Sequence, residues 1–126
     1  MQRLIAALLT AVVVLLGALL YQGRATTAAP VFTTPYQAVV LTSGQVYYGK
    51  LENASGLYPV LRDVFYVSSQ TNTATRETSN VLVRRGKELH GPDYMVLNRL
   101  SILFVEPVNQ DSQVARFITE QAAHSN

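Results

Sequence analysis

The segment Lys87-Glu88-Leu89-His90-Gly91-Pro92-Asp93-Tyr94-Met95 holds the densest polar grouping in the chain, with Glu88, His90 and Asp93 inside six residues. A carboxylate beside an imidazole is the raw material of general acid-base or metal chemistry. A metal site needs a third or fourth ligand at defined geometry, and the only other histidine in the sequence is His124. Gly91-Pro92 is itself a turn signal. The favoured reading is therefore a structural loop in which His90 or Glu88 satisfies backbone groups. Local ligand recognition is the alternative, and a metal-dependent enzyme centred on Glu88, His90 and Asp93 is a third reading.

Two further groups have residue types suited to recognition. Arg84, Arg85 and Lys87 make a small basic cluster that could meet lipid headgroups, phosphate or an acidic partner, although a solvated strand end opposed by Glu88 explains it as well. Tyr47, Tyr48, Tyr58, Tyr66 and Tyr94 could supply an aromatic surface; some must be core, and Tyr47 with Tyr58 is the expected exposed pair. The pairs Arg62-Asp63 and Asn98-Arg99, together with Glu106, fit pairing at sheet edges better than a site. Candidate binding residues are thus Tyr47, Tyr58, His90, Arg84 and Arg85, with no catalytic residue, metal ligand or cofactor assigned. No Ser-His-Asp set follows from spacing and there is no glycine-rich phosphate loop, which argues against an enzyme. Asn53-Ala54-Ser55 is a glycosylation sequon only where the source glycosylates.

Composition narrows the classes further. No cysteine occurs, so a disulfide framework, a thiolate metal site and a cysteine nucleophile are excluded, and the redox compartment stays open. Of the ten Lys and Arg, Arg3 and Arg24 flank an apolar segment; all eight acids lie from Tyr36 onward, so that region carries eight charges of each sign and is neutral. A neutral domain with its excess charge beside an apolar segment suits a membrane anchor and not a nucleic-acid surface.

Leu4 to Tyr21 is uncharged, with Thr10 its one clearly polar side chain. As a helix it reaches roughly 27 Å, enough with its flanks to cross a hydrocarbon core of about 30 Å. A cleaved signal peptide has the same opening pattern. However, this apolar run exceeds the usual signal length, and Gly23-Arg24-Ala25 and Thr26-Thr27-Ala28 are weak cleavage sites. The uncleaved anchor is favoured over secretion, with the N-terminus inside and the domain outside. Residues 1–24 form the anchor with its flanks, and residues 25–35, rich in Thr and Ala with Pro30 and Pro35, form a tether.

About 90 residues follow, enough for one small domain. Short β-branched and aromatic runs separated by turn chemistry predict closely spaced strands over 36–108. A two-residue loop at Ser43-Gly44 would pair Leu41 with Val46 and Val39 with Tyr48 on a core face, leaving Val40 and Tyr47 pointing away. Gly49 inside a strand marks a bend or a close backbone approach. Asn53 to Gly56 is a turn, and Leu57 to Val67 a long bent strand with Pro59 at its start or on an edge. Ser68 to Asn80 shows no apolar rhythm and is expected to be a mobile loop or extended turn. Val81 to Arg84, Met95 to Asn98 and Ser101 to Glu106 complete the strands. In the last segment, 109–126, Val114, Phe117, Ile118 and Ala122 share one face of a short helix capped by Asn109 or Asp111, which must dock on the sheet or a partner.

The spacing Val39-x-Leu41-x-x-Gly44-x-x-x-x-Gly49-x-Leu51, continued by Leu61-x-Asp63, resembles the first motif of the Sm-like fold. The resemblance covers roughly 37–105 and is specific over about thirty residues. It implies a mainly β chain: a small, bent, five-stranded barrel of Sm-like or SH3-like type, here with an N-terminal transmembrane helix and a short C-terminal helix. RNA-binding members carry an Asp-x-x-Met-Asn run before the third strand, where this chain has Ala54, Leu57 and Tyr58. They also carry an Arg-Gly pair before the last strand, where Asn98-Arg99-Leu100 stands. The base-binding pocket is therefore not carried over, and no nucleic-acid partner is expected. The "GQVYYGKL" and "ELHGP" segments are also similar to those of a group of small single-span bacterial membrane proteins, a resemblance that implies localisation and fold and not chemistry. The resulting expectation is a non-enzymatic, membrane-anchored module for protein interaction or self-assembly, with a small-ligand or envelope-polymer binder using Tyr47, Tyr58 and the His90 loop as the alternative.

Overall fold

The computed structural model describes residues 1–26 and 31–125, the side chains of 22–26 excepted. The Thr26-Thr27-Ala28 cleavage motif and positions 27–30 of the expected tether therefore fall wholly or partly outside the described residues. The chain divides into two units, Met1–Pro30 and Val31–Asn126. The first is the helix α1, Gln2–Thr26, which continues two residues past the expected anchor boundary at Arg24. Its stretch Gln2–Tyr21 is long and apolar enough to cross a membrane, a property that signal sequences share. The Thr10 hydroxyl donates to the Ala6 carbonyl at 2.9 Å, so the polar group meets its hydrogen-bonding need within the helix.

The second unit is mainly β. Strands β1 (Gln37–Leu41), β2 (Val46–Glu52), β3 (Val60–Thr71), β4 (Thr78–Arg84), β5 (Tyr94–Val96) and β6 (Ile102–Pro107) form one antiparallel sheet, followed by helix α2 (Gln113–His124). The order is β4-β3-β2-β1-β6, with β5 also paired to β3, and among the described residues the sheet is not closed. Strands β4 and β5 share one edge of β3: β4 pairs with Phe65–Thr71 and β5 with Val60–Arg62. Between these ladders, two residues of β3, Asp63 and Val64, stand opposite nine residues, 85–93; Arg85 N–H still donates to the Val64 carbonyl at 2.8 Å, and the chain then leaves the sheet. The sixth strand thus comes from one edge interrupted by a loop, and that loop is the polar segment around His90.

The β1–β2 hairpin differs from the expected pairing by one residue. Leu41 N–H donates to the Gln45 carbonyl and Gly44 N–H to the Leu41 carbonyl, each at 2.9 Å, so the loop is Thr42-Ser43-Gly44. Gly44 closes it at φ +88°, the left-handed position that three-residue hairpins assign to glycine. Val39 therefore faces Tyr47, and Ala38 faces Tyr48. A one-residue slip exchanges the faces of a strand, so Tyr47 joins the core side and Tyr48 the other.

That core side buries Val39, Leu61, Val64 and Leu97, with Leu41, Tyr47, Leu51, Met95, Ile102 and Val105 packed around them. Leu97 directly follows β5 and the others come from β1, β2, β3, β5 and β6, so the sheet must curl to bring them together. The opposite face buries Phe65 and Leu82 against Ile118 of α2, with Tyr36, Tyr48 and Val114 alongside. The C-terminal helix thus docks on the sheet, as its apolar stripe required. Its cap is Ser112, whose Oγ accepts from Ala115 N–H at 3.2 Å; Asn109 instead forms a turn of its own by accepting from Asp111 N–H. The apolar-poor segment Ser68 to Asn80 is largely strand: β3 runs to Thr71 and β4 starts at Thr78. The Ser69–Asn80 and Thr71–Thr78 side chains hydrogen-bond across this hairpin. Both of its faces meet solvent, which is why no apolar alternation announced it.

Candidate functional site

The bend in β3 organises the site. From Tyr48↔Phe65 to Lys50↔Arg62, β2 advances two residues and β3 three. The extra residue makes a β-bulge, and Asp63 adopts φ +50° within it. Gly49 lies opposite, where a Cβ would stand 2.7 Å from the Arg62 carbonyl oxygen and 2.8 Å from Leu61 Cγ. The close backbone approach expected at this glycine is therefore present. The bulge lets both Leu61 and Val64 point into the core despite their odd spacing, and it turns the Asp63 carboxylate outward.

Asp63 accepts from two cations, Lys50 Nζ and Arg84 Nη2, each at 3.2 Å. Lys50 also lies 5.5 Å from the centre of the Tyr36 ring. Its hydrogen bond with Asp63, reinforced by Tyr36, raises the ammonium's pKa above the ordinary lysine value. Burial raises the Tyr36 hydroxyl in turn, with Lys50 opposing. These groups are half-exposed, so each ion pair contributes only about 0–1 kcal/mol.

Arg85, the neighbour of Arg84, points elsewhere. Its Nε donates to Glu88 Oε1 at 3.0 Å and its Nη1 approaches Met95 Sδ at 2.9 Å, while the guanidinium lies 5.7 Å from the Tyr47 ring centre. Arg84 is 5.9 Å from the Phe65 ring. The two arginines thus meet aromatic rings on opposite faces of the sheet, and each already has a carboxylate partner. The expected solvated strand end opposed by Glu88 divides between the two: Arg84 is the exposed end of β4 but is opposed by Asp63, and Arg85 is opposed by Glu88 but largely buried.

Glu88 also accepts from Gly86 N–H through Oε2 at 2.9 Å. The Gly86 N–H, then its own N–H, and the Arg85 guanidinium hold its carboxyl down at about 2. It thereby closes the start of the loop by satisfying backbone, one of the structural roles expected of it. His90 is exposed. Asp93 is exposed at the rim of a cleft of about 310 Å³ that Asp63, Arg84, Arg85, Gly86, Tyr94 and Met95 also line. Among the described residues, no three His, Asp or Glu side chains gather where they could hold a metal ion. The cleft presents carboxylate and guanidinium groups to a polar ligand.

Tyr47 and Tyr58, expected to form one exposed surface, are separated. Tyr47 is half-buried in the core, edge-on to Tyr66 with ring centres 6.4 Å apart. Tyr58 is exposed on the outside of the sheet. The hairpin slip at Gly44 is the physical reason. Tyr94 and Met95 were not expected at the cleft; they reach it because β5 resumes the β3 edge directly after the loop. The charged pair Arg62-Asp63, interrupting an apolar strand, was the signal in the sequence for the bend beside it.

Compared with known proteins, the chain matches no family model and no curated protein sequence.

Proposed function

We propose that this chain is a non-enzymatic, membrane-anchored β module that mediates protein interaction at a membrane surface, self-assembly included. One observation carries the reading. Among the described residues, strand β6 pairs with β1 alone and presents Leu103 and Phe104 to solvent, so an apolar edge strand offers its backbone to another chain. Strands β4 and β5, counted as one interrupted strand, leave five strands around one core. That count supports the small Sm-like barrel as the fold class, and α1 supports the anchor.

The test is the mass of the full chain in detergent micelles, measured by light scattering. The expected result is an oligomer that Phe104→Lys dissociates. A monomer at all protein concentrations would remove self-assembly and leave a different protein as the partner.

A second reading, small-ligand binding, rests on the cleft between Asp63 and the 85–93 loop. It predicts that a bound ligand shifts the resonances of Gly86, Asp93 and Tyr94 together, and shifts confined to Tyr58 would contradict it.

A further inference from the structure

The ladder between β3 and β5 continues past its last strand pair: Leu97 N–H donates to the Pro59 carbonyl at 2.8 Å and Arg99 N–H to the Leu57 carbonyl at 3.1 Å, in the same register as Val60↔Val96. Residues 57–62 and 94–99 therefore form one two-stranded ribbon. Pro59, Leu61 and Leu97 are its buried side. Alternation then places Tyr58, Val60 and Arg62 of one strand, with Asn98, Val96 and Tyr94 of the other, on the outer side. Tyr58, Val96 and Tyr94 are 63, 57 and 50% exposed on this face, and Arg62 lies 5.0 Å from the Tyr94 ring centre. At the ribbon's end, Leu57 and Leu100 are 76 and 87% exposed. Helix α2 covers the Phe65–Leu82 face and leaves this one open.

We propose that this outer face, Tyr58, Val96 and Tyr94 with Leu100 at its end, seats the domain on the lipid headgroup region of the membrane that its own helix crosses. The inference rests on the anchor reading above. Ten residues separate Thr26 from Gln37, a chain of at most about 40 Å, so an anchored domain cannot leave the neighbourhood of the bilayer. The side chains suit that boundary: tyrosines place an apolar ring and a polar hydroxyl at headgroup level, and the exposed Leu100 supplies an apolar group for the acyl chains. Arg62 supplies a cation for anionic headgroups on the same face; it is paired with Glu52, so it complements the apolar contact and does not replace it.

The chain contains no tryptophan, so a single introduced one is an unambiguous probe. The full chain is reconstituted in phosphatidylcholine–phosphatidylglycerol vesicles, with and without brominated acyl chains, as Val12→Trp, Tyr58→Trp, Leu100→Trp and Thr73→Trp variants. The expected result is bromolipid quenching and a blue-shifted emission at positions 12, 58 and 100, with neither at 73 in the β3–β4 turn. Quenching at 12 but not at 58 or 100 overturns the inference and leaves the anchor intact. If emission at 58 and 100 is blue-shifted without quenching, a protein covers the face, and the inference fails equally. Loss of quenching at 12 refutes the anchor reading itself.

Discussion

Gly49 and Asp63 face each other across β2 and β3 at the one place where β3 has a residue more than its partner. The glycine has no Cβ where the Arg62 carbonyl approaches, and the aspartate takes the left-handed conformation that absorbs the extra residue. The bend they make turns Leu61 and Val64 inward together. Gly49→Ala is expected to destabilise the domain by about 1–3 kcal/mol, because the added methyl meets backbone and a buried leucine, neither of which can move freely. Urea unfolding followed by circular dichroism checks it. An unchanged midpoint would mean that the bend is not fixed by this contact.

Asp63 has two roles that substitutions separate. Asparagine tolerates the left-handed conformation and removes the charge, whereas alanine removes the charge and tolerates the conformation poorly. Asp63→Asn is expected to cost less than about 1 kcal/mol, because the Lys50 and Arg84 pairs are exposed and screened. Asp63→Ala should cost about 1–2 kcal/mol more. Equal losses in the same unfolding experiment would show that the ion pairs, and not the backbone, are what the residue contributes.

Helix α2 is held by Ile118 against Phe65 and Leu82 and started by Ser112. Ile118→Ala removes buried methyl groups from that contact and should cost about 2–3 kcal/mol. Ser112→Ala leaves one helix N–H without its acceptor, at about 1 kcal/mol. Amide exchange in α2 distinguishes docking from folding: Ile118→Ala should free the helix amides before those of β1 and β2. Exchange rising uniformly through the sheet would show that the helix is integral to the β core.

Which parts of this architecture the sequence disclosed follows from where the signals were local. The strands β1, β2 and β3, the turn at Asn53 to Gly56, the two segments around the Arg99 turn and the stripe on α2 all left apolar periodicity or turn residues in place. The hairpin register was lost because Ser43-Gly44 fits a two-residue or a three-residue loop equally, and only the left-handed Gly44 with Leu41 bonded to Gln45 decides between them. That single residue moved Tyr47 from the surface to the core. The Ser68 to Asn80 hairpin left no trace because neither face is buried, and its cross-strand bonds join hydroxyls and amides that also suit turns.

The site was legible as composition and not as geometry. The polar density around His90 marked the loop that leaves the β3 edge; charge alone set Glu88 against the whole Arg84, Arg85 and Lys87 cluster, and in the structure it pairs with Arg85. The separation of Arg84 from Arg85 follows from strand alternation once Arg84 is the last residue of β4. The sharing of Asp63 between Lys50 and Arg84 depends on a bulge, which involves two strands and cannot be read from either by itself. Tyr94 and Met95 enter the cleft because the strand resumes after nine residues, a long-range fact of pairing with β3.

Glu88 gives the pH prediction that bears most directly on this loop. Its carboxyl is held at about 2 in the folded chain, below its ordinary value near 4.5, by the Gly86 amide, its own amide and Arg85. A folded pKa below the unfolded one means that the contact stabilises the loop fully above about 4.5. That contribution is lost as the pH falls through the folded value of about 2. The Gly86 amide proton should therefore keep its resonance position through the ordinary carboxylate range and shift only as the pH approaches 2. Glu88→Gln should abolish that late transition and raise the exchange rate of the Gly86 amide at neutral pH. A Gly86 shift with its midpoint near 4.5 would mean that the carboxylate is free in solution, and the 85–93 loop would then need another explanation for its closed start.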